Sequence, residues 1–113
     1  MSNDKTKYIL LGIAIAVVGS IGLIVWSRTA PGKYDELAQC LADKEALFYG
    51  AFWCPACAQQ KKVFGNSAKL LPYVECSTSD GKSQLPVCID EGVKSYPTWV
   101  FADGARETGV LSP

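Results

Sequence analysis

Residues 46–57, ALFYGAFWCPAC, decide the fold of this 113-residue chain. The first eight form a nearly continuous apolar run, which is typical of a strand buried on both faces. The following CPACAQQKKVFGN predicts a helix, with Pro55 in its first turn and Gly65-Asn66 at its end. The pattern therefore predicts a buried strand that runs directly into a helix, with Cys54 and Cys57 where the two meet.

The rest of the chain predicts an α/β domain around this unit. Leu37, Cys40 and Leu41 share one face at helical spacing, which predicts an amphipathic helix over residues 34–44. Further on, we expect a strand, a polar loop, a helix and a β-hairpin, at residues 72–76, 77–83, 87–94, and 98–102 with 106–110 around Asp103-Gly104. Strands that alternate with helices predict a parallel pair with a crossover, here extended by the hairpin into a mixed central sheet with flanking helices.

An uncharged apolar segment of 19 residues, 8–26, precedes this domain. A helix of that length spans roughly 28 Å, close to the thickness of a bilayer core. Tyr8 and Trp26 stand at its ends, where amphipathic rings favour the membrane interface. We predict a tail at 1–7, a transmembrane helix at 8–26, a linker at 27–32 and a domain at 33–113. A cleaved signal peptide is the alternative, although Arg28 and Pro31 make a poor cleavage site around Ala30.

The charges exclude some functions. The chain has 11 basic and 11 acidic residues, and no basic stripe interleaved with aromatics, so nucleic acid is not an expected partner. Histidine is absent, so no imidazole can act as a general base or as a metal ligand. This excludes Ser-His and Cys-His catalysis within this chain.

The CxxC motif carries the chemistry. A thiolate at a helix N-terminus meets unpaired N–H groups and the positive end of the helix dipole, which favour the ionised form. We assign Cys54 as the nucleophile, and Cys57, one turn on, as the thiol that resolves the mixed disulfide. Pro55 starts the helix. Trp53 is expected to contribute to a partner-binding surface, whereas Tyr49, Phe52 and Trp99 are expected mainly in the core.

A second proline precedes the predicted strand at 98–102. In Ser95-Tyr96-Pro97-Thr98, the proline either starts a strand or marks a special peptide bond, because it cannot donate to a sheet.

These motifs resemble the thioredoxin superfamily across the whole domain. More closely, YGAFWCPAC, PYVEC and YPTWVF resemble the thioredoxin-like domain associated with bacterial vitamin K epoxide reductase homologues. The resemblance implies a cis-Pro97, with the Tyr96 backbone facing the CxxC. It also implies oxidation of exported proteins, with electrons passed to a quinone-linked membrane enzyme. Departures are Ala56 where many such domains have histidine, Phe48 where thioredoxin has a buried aspartate, and an end at Pro113 where the family continues into a last helix, so we expect a truncated domain.

The remaining cysteines are Cys40, Cys76 and Cys88. Cys76 and Cys88 flank the polar loop, and a structural disulfide that closes it is the favoured interpretation; the resembling domains carry a cysteine pair at matching places. A redox relay to Cys54 and Cys57 is an alternative. A zinc site made of these four sulfurs is another, although the second CxxC knuckle that is usual in zinc ribbons is missing. Cys40 is expected to be a packed thiol on the apolar face of its helix.

The sequence thus predicts a membrane-anchored thiol–disulfide oxidoreductase that needs no cofactor or metal. Its domain is expected on the extracytoplasmic side, in a periplasm or thylakoid lumen, because a stable second disulfide is rare in a reducing cytosol. The expected partners are exported proteins with thiols or disulfides and a vitamin K epoxide reductase-like membrane protein. The alternatives are a reductase of exported disulfides, a zinc module and a non-catalytic adaptor.

Overall fold

The computed structural model describes residues 2–113. The chain divides into two units, the first ending at Ala30 and the second beginning at Pro31. The first unit is helix α1. The second contains the remaining helices and all the strands: α2 Asp35–Asp43, β1 Leu47–Gly50, α3 Pro55–Phe64, a 3-10 helix Gly65–Leu70, β2 Tyr73–Glu75, α4 Pro86–Asp90, β3 Thr98–Val100 and β4 Arg106–Thr108. The predicted α/β class is confirmed.

Helix α1 runs over Ser2–Thr29 and is longer at both ends than the predicted span of 8–26. Residues 27–29, which we assigned to a linker, are helical. Over Asn3–Thr29, length and composition suffice to cross a membrane, and the apolar side chains of this helix are exposed. A signal sequence has the same properties, so both interpretations of the segment fit the helix.

Strand β1 is shorter than predicted, since it ends at Gly50 and residues 52–53 form a turn. The Cys54 amide closes this turn by donating to the Ala51 carbonyl at 3.1 Å. The expectation that Phe52 lies in the core is wrong, because its side chain is 58% exposed. The physical reason is that the chain must leave the sheet before α3 begins, and this turn carries Phe52 and Trp53 out of the core.

The sheet has the order β2-β1-β3-β4. Strands β1 and β2 are parallel and are joined through α3, whereas β3 is antiparallel to both β1 and β4. This mixed sheet, with a parallel pair and a hairpin, is the predicted topology. Because β1 is a central strand, the CxxC that follows its C-terminal end lies near the middle of that end of the sheet.

Successive residues of β1 point to opposite faces, and each face is buried against its own cluster. Phe48 stacks on Trp99 at 4.8 Å between ring centroids and belongs to the cluster that contains Cys54 and Cys57. Tyr49 belongs to a second cluster, with Cys76, Cys88 and Val93. The central strand is therefore buried on both faces, as its continuous apolar run predicted.

Cys40 does not pack as predicted, since its thiol is free and exposed. Helix α2 buries Ala38 and packs Leu37 and Leu41 against the core. Cys40 follows Ala38 by two residues, or about 200° around a helix, which turns it away from the buried face.

Helix α4 ends at Asp90, before the predicted residue 94. Gly92 adopts a positive φ of 73°, and the Val93 amide donates back to the Cys88 carbonyl at 3.0 Å. This turn brings Val93 into the second cluster. The helix therefore ends before residue 94, and the chain turns back so that Val93 is buried.

Candidate active site

Cys54 is the N-cap residue of α3, and Pro55 is its first residue. The Cys57 amide donates to Cys54 Sγ at 3.4 Å, so the sulfur takes the place of a capping oxygen. Cys54 is 7% exposed and Cys57 is 1% exposed. The strand-to-helix junction therefore places one sulfur at the positive end of the helix, close to the surface, and encloses the other beneath it.

The loop before β3 forms the other side of the site. The Tyr96–Pro97 peptide bond is cis, and Pro97 is buried. Cys54 Sγ donates to the Tyr96 carbonyl at 3.7 Å. The structure thus places the backbone of the residue before the proline against the first sulfur, where the resemblance to thioredoxin-like domains put it.

Burial raises the pKa of the Cys57 thiol to about 12. The neighbouring Cys54 acts in the same direction, whereas a hydrogen bond with the Ala51 backbone and the Lys61 charge oppose it. At neutral pH Cys57 is a protonated thiol. This difference in environment fits the predicted roles, with Cys54 as the sulfur that meets substrate first and Cys57 as the second.

Trp53 borders the thiols and is 51% exposed. Its indole Nε1 donates to Ser77 Oγ at 2.9 Å, and its ring lies edge-on to Tyr96 with centroids 5.9 Å apart. The side chain is held on two sides while half of its surface faces solvent. This is the geometry of a contact surface, and its use by a partner remains a prediction.

Cys76 and Cys88 are joined by a disulfide that spans 12 positions in sequence. Both are fully buried in the second core cluster, which does not include Cys54 or Cys57. The pair connects the end of β2 to α4. Since these two sulfurs are bonded to each other, they are not thiolates, and the four-thiolate zinc hypothesis loses two of its ligands.

Three residues near the thiols were not predicted from the sequence: Gly50, Tyr73 and Glu75. A β-carbon on Gly50 would lie 2.9 Å from both Cys57 Sγ and Cε2 of Tyr73, so both groups press against the glycine. The Tyr73 hydroxyl donates to Glu75 Oε2. Burial, and then the Glu75 carboxylate, raise the Tyr73 pKa, so the phenol stays neutral. The only sequence signal was an acidic residue inside PYVEC, a strand that is otherwise apolar.

Lys61 and Lys62 differ in their surroundings. Lys61 Nζ lies 3.7 Å from the centroid of the Tyr73 ring, and its charge lowers the Cys57 pKa. Lys62 is exposed. Lys61 thus contributes positive potential beside the thiols.

The mixed sheet, the helix that begins at the CxxC and the cis-proline facing it define a thioredoxin-like domain. The chain is similar to the thiol-disulfide oxidoreductase LTO1 of Arabidopsis thaliana, with 42% identity over 71 residues. The match covers 59% of this chain and 19% of that protein, so the chain spans about a fifth of its relative's length. No family model matches the chain. Fold, site and relative all point to thiol–disulfide chemistry.

Proposed function

We propose that the chain is a thiol–disulfide oxidoreductase that acts through Cys54 and Cys57. The observation that carries the proposal is the Cys57 amide donating to Cys54 Sγ at the start of α3, beside the Tyr96 carbonyl. This amide and the helix dipole stabilise negative charge on Cys54, both as an attacking thiolate and as a leaving group. The name of the Arabidopsis relative supports the same chemistry.

The exchange proceeds in two balanced steps. The Cys54 thiolate attacks one sulfur of a substrate disulfide, and a mixed disulfide forms while the other substrate sulfur leaves as a thiolate. Cys57 then loses its proton and attacks Cys54 Sγ, which releases the second substrate thiolate and forms the Cys54–Cys57 disulfide. The protein loses two electrons and the substrate gains two; the reverse sequence oxidises a substrate dithiol.

Membrane anchoring through α1, with the domain on the extracytoplasmic side, is a further part of the proposal. The length and composition of α1 support the anchor, and the Cys76–Cys88 disulfide supports an oxidising compartment. Exported proteins are then the expected substrates. By resemblance, a vitamin K epoxide reductase-like membrane enzyme reoxidises the CxxC and passes the two electrons to a quinone.

Disulfide exchange by the full chain in detergent tests the activity. The reduced protein is mixed with a peptide that contains one disulfide, and the appearance of peptide thiols is followed. We expect one disulfide reduced per protein. This activity should be unchanged in Cys40→Ala, which removes the free thiol outside the CxxC, and lost when Cys54→Ser is added to that variant. A wild-type chain that reduces no peptide, and whose oxidised form oxidises no dithiol peptide, would contradict the proposal.

Topology is tested with a thiol reagent that cannot cross membranes. Cys40→Ala is the background, because the exposed thiol of Cys40 would otherwise be labelled. Labelling of the reduced CxxC in intact cells is expected, and labelling only after permeabilisation would overturn the extracytoplasmic assignment.

The partner is tested in vesicles that contain a vitamin K epoxide reductase homologue. Quinone-dependent reoxidation of the CxxC in these vesicles is the expected result.

A further inference from the structure

Glu75 ends strand β2 with a half-buried carboxylate that accepts three hydrogen bonds. Its Oε1 accepts from the backbone amides of Phe52 and Ser77, each at 3.1 Å. Its Oε2 accepts from the Tyr73 hydroxyl. A carboxylate that accepts several N–H and O–H groups is held in place.

The Phe52 amide belongs to the turn that delivers Cys54 to α3. Glu75 lies opposite Gly50 in the β1–β2 register, and the chain leaves the sheet directly after Gly50. The carboxylate therefore reaches from β2 across to the turn and fixes it to the sheet. The same carboxylate oxygen also accepts from the Ser77 amide, and the Ser77 hydroxyl accepts from the Trp53 indole.

The same carboxylate places a negative charge one ring away from the thiols. Tyr73 separates Glu75 from Cys57, because its hydroxyl contacts the carboxylate while its ring packs near the sulfur, around Gly50. The other charged group facing this ring is Lys61, whose Nζ lies 3.7 Å from the centroid. Glu75 therefore also holds the Tyr73 ring that packs beside Cys57 around Gly50.

We propose that Glu75 is a positioning residue for disulfide exchange, which holds the 51–53 turn and thereby sets the location of Cys54 Sγ against the Cys57 amide and the Tyr96 carbonyl. The proposal rests on the proposed function. Glu75 does not touch the substrate; it acts through Phe52, Ser77 and Tyr73.

Two variants separate geometry from charge. Glu75→Gln keeps an oxygen for the two amides and removes the charge, whereas Glu75→Ala removes both. Asp103→Asn and Asp103→Ala are matched controls, since Asp103 accepts the Ala105 amide at 2.9 Å in the β3–β4 turn. All are made in the full chain with Cys40→Ala and Cys57→Ser, so that Cys54 is the one free thiol.

Two rates are measured. The first is the rate of Cys54 alkylation by iodoacetamide at one fixed pH, which needs only an accessible thiolate. It is the reference for the reactivity of the sulfur, and the exchange rate of each variant is divided by it. The second is mixed-disulfide formation with a disulfide peptide, which also needs an aligned sulfur; we expect it to fall about tenfold in Glu75→Ala, to be largely retained in Glu75→Gln, and to be unchanged in the Asp103 variants.

An unchanged ratio of exchange rate to alkylation rate in folded Glu75→Ala would overturn the role of Glu75. If Glu75→Ala does not fold, Glu75→Asp decides, because it keeps the charge on a side chain that is one methylene shorter: a lower ratio supports the role and an unchanged one overturns it. A wild-type chain that forms no mixed disulfide contradicts the proposed function instead, so the two failures are distinguishable.

Discussion

Gly50 lies directly against Cys57, so that a β-carbon on Gly50 would stand 2.9 Å from the Cys57 sulfur and 2.9 Å from the Tyr73 ring. Glycine at this position is what allows strand β1 to pass under the resolving thiol. The packing of Cys57 and Tyr73 therefore requires glycine as the last residue of this strand.

Gly50→Ala should lower both stability and exchange activity. The added methyl group must displace Cys57 or Tyr73, and overpacking of this kind costs about 1–3 kcal/mol. Urea unfolding and the peptide-reduction assay measure the two effects. Gly22→Ala in α1 is the control, because nothing lies within 4 Å of the added carbon there. An alanine variant of Gly50 with wild-type stability and activity would show that the site repacks without loss.

The thiol of Cys57 should make the reduced protein sensitive to alkaline pH. Burial raises its pKa from 9.0 to about 12. The folded state then holds the proton more tightly than the unfolded state, so this contribution to stability is complete below pH 9 and is lost as pH rises toward 12. The free energy of unfolding of the reduced form should therefore fall over that range relative to the oxidised form, which lacks the thiol. Parallel pH profiles for the two forms would contradict the assignment.

The two active-site cysteines should fail in different ways. In a Cys40→Ala background, which removes the exposed free thiol, Cys54→Ser should abolish exchange, because the remaining thiol of Cys57 is buried and protonated. Cys57→Ser should instead accumulate mixed disulfides with substrate, since attack occurs but resolution does not. Non-reducing gels and mass spectrometry distinguish the outcomes. Mixed disulfides that form through Cys57 in the Cys54→Ser chain would reverse the assigned roles.

Replacing Cys76 and Cys88 together by alanine should lower the melting temperature and leave activity per folded molecule. The disulfide closes a loop of 12 positions, for which chain entropy predicts a stabilisation of about 3 kcal/mol. Thermal unfolding and the exchange assay are the measurements, with Cys40→Ala as the control. Loss of activity in a fully stable double variant would identify the pair as an electron relay.

The buried side chain of Gln60 in α3 should contribute more to the free energy of unfolding than the exposed side chain of Gln59 beside it. Its buried amide donates to the Leu111 carbonyl at 3.0 Å and accepts from the Leu111 amide at 2.6 Å and from the Trp99 indole. Gln60→Leu leaves these groups unpaired, at a cost of about 2 kcal/mol or more in the free energy of unfolding. Gln59→Leu, at the exposed neighbouring position, should change the urea midpoint little. Equal effects of the two variants would exclude a special role for Gln60.

Sequence periodicity predicted the elements better than their ends. The apolar run at 46–53 correctly indicated a strand buried on both faces, but it could not show that the strand stops at Gly50. Composition does not distinguish an aromatic residue in a buried strand from one in a turn beside a site, which is why Phe52 was placed in the core. Cys40 was misplaced for a related reason: several helix faces include Leu37 and Leu41, and packing selected the one centred near Ala38.

The sequence by itself determined the strand–CxxC–helix unit, the order of the elements, the proline before β3 and the long apolar helix, because each depends on residues that are close in the chain. Only the tertiary structure decided what surrounds the sulfurs. Gly50, Tyr73 and Glu75 act on the site across the β1–β2 pair, and Tyr96 acts on it from the loop before β3. Burial and cross-strand contacts depend on the register between distant segments. Burial raises the Cys57 pKa, and the Tyr96 carbonyl lies against Cys54 only because the loop before β3 folds back onto the helix start.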